Sequence, residues 1–152
     1  MSRKQRSTQQ TTCYCTALRK ATRRVSVVYD RYLAHTGLTA GQYSILSEIE
    51  SQTAPPSLSS LALVLVMDRT ALSHTLQPLE RDGLIRFSSD SEDRRIRLVH
   101  LTALGRKRAA AADAAWRRAQ AHFSRVFGEH QANALRALLM MAANSKFDDI
   151  SN

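Results

Sequence analysis

The stretch that decides the fold is Ser57–Thr102, SLSSLALVLVMDRTALSHTLQPLERDGLIRFSSDSEDRRIRLVHLT. Ser57 has the short hydroxyl that caps a helix N-terminus, and Leu58, Leu61, Ala62 and Leu65 follow at helical spacing. After a turn at Val66-Met67, Asp68 is placed to cap a second helix whose buried stripe is Leu72, Leu76 and Leu79. The opposite face carries Arg69, Thr70, Ser73, His74, Gln77 and Arg81. These are donors and acceptors of the length that reaches base edges and phosphates from a helix in a major groove. Gly83 stops the helix, and Leu84 to Phe87 turns to strand character. Arg95 to Leu101 alternates polar and apolar as a half-exposed strand does, and the segment SSDSEDRR between is too charged to bury. Helix, turn, helix and a basic-tipped hairpin in that order predict a winged helix. Pro78 falls inside the second helix, where its missing N–H predicts a bend or a strained last turn.

The run LALVLVMDRTALSHTLQPLERDGLI, followed by the tip Asp93-Arg94-Arg95 and by HLTALGR, resembles the MarR (multiple antibiotic resistance regulator) family. The resemblance extends over roughly residues 13 to 143. It implies a dimeric winged-helix regulator that binds palindromic double-stranded DNA, most often as a repressor, and that a small molecule or an oxidant releases. It also implies that Arg95 enters a minor groove and that Asp93 orients it. A narrow A·T-rich minor groove, with its enhanced negative potential, attracts such an arginine. One position departs from the pattern: Val66 stands in the turn where members usually carry glycine. A β-branched residue is costly at positive φ, so a differently built turn is expected here.

Outward from this motif the chain reads as helix. Cys13 to His35 places Leu18, Ala21, Val25, Val28 and Tyr32 on one stripe, with Arg19, Lys20, Arg23, Arg24 and Arg31 on the other faces, and Gly37 ends it. Thr39 caps the next helix, with Gln42 three residues on completing a capping box. Pro55 and Pro56 then force a loop. Beyond the hairpin, Thr102 caps an alanine-rich helix reaching about Phe127, Gly128 breaks it, and a last helix runs to about Ala143. That last helix has an apolar stripe of Ala132, Leu135, Leu138, Leu139 and Ala142, which demands a partner surface. The expected fold class is therefore mainly α with a small β wing. Its winged helix-turn-helix occupies about residues 39–102, and dimerisation helices occupy about 13–35 and 103–143 of a single domain, 13–152. Residues 1–12, with Arg3, Lys4 and Arg6, read as a flexible basic arm.

Composition agrees with a DNA-binding class without proving it. The net charge is +9, from 22 basic and 13 acidic residues, which suits a polyanionic partner as well as mere solubility. With 43% hydrophobic residues there is material for a core. No apolar run approaches the roughly 18 residues that span a membrane, and the first residues lack the apolar centre of a signal peptide. A bacterial cytoplasmic, nucleoid-associated location is expected.

Candidate sites follow. DNA contacts are expected from Ser59 on the first motif helix, from the polar face already named, and on the wing from Arg86, Asp93, Arg94, Arg95 and Arg97. By the resemblance, Tyr29, Tyr32, Tyr43 and Trp116 surround a cleft between the dimer helices and the DNA-binding lobe. Aromatics there suit a flat carboxylated or phenolic effector, or an acyl-thioester, with an arginine for its charge. Cys13 and Cys15 offer the alternative of an oxidation switch. Two apart on one helix they would point to opposite sides, so a bond between subunits is expected if any forms. The five histidines lack metal-ligand spacing, and no Ser, Cys or Lys stands in a catalytic motif, so neither a metal, a cofactor nor an enzyme is expected. The remaining alternative is a basic module that coats nucleic acid or binds protein without sequence preference.

Overall fold

A computed structural model describes residues 13–147. Its elements are α1 (Tyr14–Leu33), a single 3-10 turn (Ala34–Thr36), α2 (Ala40–Ser51), α3 (Leu58–Val64), α4 (Arg69–Arg81), β1 (Ile85–Ser89), β2 (Arg97–Leu101), α5 (Ala103–Phe127) and α6 (Glu129–Ala143). The fold is a winged helix flanked by long helices. The basic arm expected over residues 1–12 lies outside the described residues.

The four helix starts for which the sequence named a capping residue are made by those side chains. Thr39 accepts from the Gln42 amide while the Gln42 side chain accepts from the Thr39 amide, a complete capping box. Ser57, Asp68 and Thr102 each accept from the backbone amide three residues on. These caps satisfy donors that a helix leaves orphaned and fix where α2, α3, α4 and α5 begin. Leu33, Leu46, Leu61, Leu72, Leu76, Leu79, Ile85 and Val99 fill the centre of the core, each less than 2% exposed.

Both helices of the central motif end in the same way. At the end of α4, the Gly83 amide donates to the Glu80 carbonyl and the Leu84 amide to the Leu79 carbonyl, with Gly83 at φ 70°. At the end of α3, the Val66 amide donates to Leu63 and the Met67 amide to Ala62, with Val66 at φ 52°. Both are Schellman caps, which place one residue in the left-handed region. The expectation that valine would force a different turn is therefore corrected. The two cap hydrogen bonds, the burial of Ala62 and the packing of half-buried Met67 on the core hold the glycine-type turn, and valine adopts it under strain.

Pro78 lies inside α4, as the sequence placed it. The helix continues to Arg81, and the Asp82 amide still donates to the Pro78 carbonyl at 2.9 Å. In the wing, β1 and β2 pair antiparallel with Ile85 opposite Leu101 and Ser89 opposite Arg97. Arg95 and Ile96, expected in the second strand, belong instead to the connecting turn, where the Ile96 amide donates to the Asp93 carbonyl. On its other side β2 is braced by the segment leading into α3, through the Val99 amide to the Pro56 carbonyl at 2.9 Å.

The wing is tied to α5 at very close range. The Thr102 hydroxyl donates to the Gly83 carbonyl at 2.6 Å, and a Cβ on Gly105 would lie 1.9 Å from the Leu84 carbonyl oxygen. Only glycine permits α5 to start there. Further along, the Arg108 guanidinium donates to the Thr36 carbonyl at 3.1 Å, pinning α5 to the junction between α1 and α2.

The outer helices are less covered. In α1 only Leu33 is fully buried; Leu18 and Ala21 of the expected apolar stripe are exposed, and Val25, Val28 and Tyr32 are half-buried. On α6 only Ala132 is buried, while Leu138, Leu139, Met140 and Met141 lie open.

Candidate nucleic-acid interface and adjoining cleft

Burial of Leu72, Leu76 and Leu79 on one side of α4 sets what the other side presents. Thr70, His74, Gln77 and Arg81 recur at helical spacing and are all exposed, so they form one polar stripe along the helix. Arg69 is exposed at its first turn. Ser73 is half-buried and its hydroxyl donates to the Arg69 carbonyl at 2.8 Å, leaving its oxygen only as an acceptor. Arg81 is engaged by Asp82 at 3.2 Å. Ser59 is exposed near the start of α3.

At the wing tip the sequence pair is brought together with defined geometry. Arg95 Nε donates to Asp93 Oδ1 at 3.0 Å and Nη2 to Oδ2 at 2.9 Å, while the Arg95 amide donates to the same carboxylate at 3.0 Å. This fork holds the Asp93 carboxyl below its usual range and raises the Arg95 guanidinium, each because of the other. The Arg95 side chain is 91% exposed, so the bond fixes its direction without hiding it. Arg94 beside it is exposed.

Arg86 and Arg97 leave opposite faces of the hairpin, because their registers differ by an odd number of pairs. Arg97 lies over the Phe87 ring, 4.1 Å from its centroid. Arg86 shares the other face with Ser88 and His100, whose hydroxyl and Nε2 are 2.8 Å apart. Burial, and then the Arg86 charge, hold the His100 imidazole below its usual value. The Ser88–His100 pair was not anticipated; it follows from cross-strand register, which the sequence alone left open.

Between α1, α2 and α5 lies a cleft of about 550 Å³. Tyr29, Tyr43 and Trp116 line it, as expected, with Tyr43 and Trp116 rings 6.0 Å apart. Tyr32 does not; it packs on His122, ring centroids 5.7 Å apart. The arginine expected for an anion is also not in the lining, which instead carries Glu48 and Asp113 with several serines. Arg117, one turn beyond Asp113, is ion-paired with it. The Tyr43 hydroxyl donates to Asp113 at 3.2 Å, and burial followed by that carboxylate pushes its pKa up. The Tyr29 hydroxyl donates to Gln120 at 2.6 Å, and burial raises its pKa too.

Cys13 and Cys15 are both exposed thiols. Cys13 is not helical: it is the N-cap of α1, with extended φ −78° and ψ 115°, and only Cys15 lies in the helix. The opposite-sides geometry expected of two helical cysteines therefore does not apply. The Thr16 hydroxyl and amide favour the Cys13 thiolate and hold its pKa below the usual value.

Comparison with known proteins agrees with this architecture. The MarR family model matches residues 38–96. The chain is 36% identical over 72 residues to the transcriptional activatory protein BadR of Rhodopseudomonas palustris, a match that spans 46% of this chain and only 41% of that relative's length. Among solved structures it is similar to the M. tuberculosis transcriptional regulator MosR in complex with DNA. That match has 31% identity and a TM-score of 0.73 and covers 88% of this chain and 99% of that one. It is also similar to the transcriptional repressor CouR bound to a 23-mer DNA duplex, with 25% identity, a TM-score of 0.78, and 88% and 94% coverage.

Proposed function

The chain belongs to the MarR family, and on that premise we propose that it is a homodimeric, sequence-specific DNA-binding repressor released from its operator by a small effector. The observation that carries this reading is the pairing of two presented surfaces. One is the exposed stripe Thr70–His74–Gln77–Arg81 on α4; the other is the wing-tip arginine held in a fixed direction by Asp93. The stripe has the donors and acceptors to read base edges in a major groove, and Arg95 reaches an adjoining minor groove. Ser59, Arg69, Arg94 and whichever of Arg86 and Arg97 faces the duplex supply phosphate contacts. The DNA-bound MosR and CouR support the partner class, and CouR's repressor role supports the sign of regulation. Such a protein works on the nucleoid of a bacterial cytoplasm.

The dimer follows from what α1 and α6 leave open. Leu138, Leu139, Met140 and Met141 on α6, with Tyr14 and Leu18 on α1, form apolar faces that a second copy would cover. Two copies set two α4 helices roughly 34–36 Å apart to meet successive half-sites. An effector in the cleft between α1, α2 and α5 sits where the dimer helices meet the DNA-binding lobe, so filling it changes that spacing.

The test is a footprint on the DNA upstream of the protein's own gene, with a reporter fused to that promoter. A discrete palindrome and a reporter that rises on gene deletion support the repressor. Uniform coating at all sequences would support a non-specific basic module instead, and a reporter that falls would make it an activator.

A second reading, release by oxidation, is favoured by Cys13 lying outside the helix as an exposed thiol with a stabilised thiolate. The Cys13 thiolate would attack a peroxide oxygen to give a sulfenic acid, and a second thiol would displace water from it to form a disulfide. Wild type and a Cys13→Ser/Cys15→Ser variant are compared on operator DNA with and without peroxide. Release of the wild type alone selects the thiol switch; no release of either excludes it.

A further inference from the structure

We propose that the cleft between α1, α2 and α5 takes an aromatic amine, or another cationic aromatic ligand, in preference to an aromatic acid. This rests on the proposed effector role of that cleft and concerns only the class of molecule it admits. About 550 Å³ is within the usual size of a small-molecule site, about 300–1,000 Å³. Its ring-binding surfaces are Tyr29, Tyr43 and Trp116, whose π faces attract a cation as well as an apolar ring.

Charge decides the rest. Both ionisable side chains in the lining besides the tyrosines are carboxylates, Glu48 and Asp113. Asp113 is compensated, because Arg117 pairs with it and the Tyr43 hydroxyl donates to it. Glu48 is not compensated by a cation among the described residues. Its Oε1 accepts from the neutral Gln52 amide at 2.6 Å, which brings no charge to offset the carboxylate. The cleft thus presents one unbalanced negative charge beside three aromatic rings. An ammonium entering with its ring against Tyr43 and Trp116 gains a charge-assisted hydrogen bond to Glu48. A carboxylate in the same place meets Glu48 as a like charge. The nearest cation that could offset that repulsion, Arg117, is already paired with Asp113.

The chain's one tryptophan is Trp116, so its fluorescence reports directly on the cleft. Full-length protein is titrated at neutral pH with tyramine, with 3-(4-hydroxyphenyl)propanoate, and with an acyl-thioester of the latter. Wild type and Glu48→Gln are compared, the variant's thermal melt confirming that it is folded. Tyramine is expected to bind wild type at least ten-fold tighter than either the acid or the thioester, and Glu48→Gln should reduce that preference at least ten-fold. An acid or thioester that binds wild type as tightly as the amine overturns the proposal. So does a preference unchanged in Glu48→Gln, or a cleft that binds no probe at millimolar concentration. Operator footprinting without ligand is run alongside: a lost footprint refutes the regulator reading, whereas a normal footprint with the wrong ligand preference refutes only this one.

Discussion

The turn between α3 and α4 provides a quantitative test, because the same cap occurs twice with different residues. Val66 and Gly83 occupy equivalent positions, at φ 52° and 70°. For a β-branched residue the left-handed region costs about 2 kcal/mol, the upper end of the usual range. Val66 is 68% exposed, so its side chain contributes only about 0.5 kcal/mol of burial. Replacing it with glycine gives up that burial and about 0.7 kcal/mol through the freer unfolded chain. The strain relieved is larger, leaving a gain of about 0.8 kcal/mol for Val66→Gly, or roughly 2–3 °C in Tm for a chain of this size. Gly83→Ala is the converse experiment. An added Cβ there meets nothing within 4 Å, so only the backbone conformation opposes it. After the stiffer unfolded chain is allowed for, it should lose about 0.5–1 kcal/mol. Urea denaturation of wild type and both variants at one fixed protein concentration measures this, the concentration being held because subunit association adds to stability. Opposite signs are expected. If Val66→Gly destabilised the protein, the valine would be making contacts worth more than its strain, and the account of the turn would be wrong.

Arg95→Ala should weaken operator binding roughly ten- to a hundred-fold with the fold intact and lower the salt slope by about one; a loss under threefold with an unchanged slope would remove Arg95 from the groove. Deletion of residues 131–152 uncovers the apolar surfaces that α6 serves and should give aggregating protein, so a stable soluble monomer in sedimentation would end the reading in which α1 and α6 build the dimer. Gly105→Ala drives a Cβ into the Leu84 carbonyl, which is backbone and cannot swing aside, and should destabilise by about 3 kcal/mol; a melt within about half a kcal/mol of wild type would contradict that packing. His100 resists protonation in the fold, so the stability it supports is present above its unfolded pKa of about 6.5 and declines as pH falls below that toward the lower folded value. His100→Gln should flatten stability against pH across that window, and an unchanged slope would assign the effect elsewhere.

What the sequence determined by itself was local and periodic. Ser57, Asp68, Thr39 and Thr102 name their helix starts because a capping oxygen and the amide it serves lie three residues apart in the chain. Leu72, Leu76 and Leu79 fix which side of α4 is buried, and so fix the exposed stripe opposite. The Asp93–Arg95 fork was legible for the same reason, since its partners are two residues apart. What only the tertiary structure decided depends on residues distant in the chain. Nothing local marks Gly105 as the point where α5 touches the Leu84 backbone, or pairs Ser88 with His100. Asp113 and Arg117 could be recognised as neighbours on a helix, but not as part of a wall facing Tyr43 and Glu48, because that meeting is set by how α2 packs on α5. The arginine expected beside the aromatic rings is absent from the lining for this reason. A net charge is a sum over the whole surface, whereas a ligand meets only the few side chains that packing brings to one place. Val66 shows the converse limit: propensity spoke against a left-handed valine, and two cap hydrogen bonds with the packing of Ala62 and half-buried Met67 outweighed it.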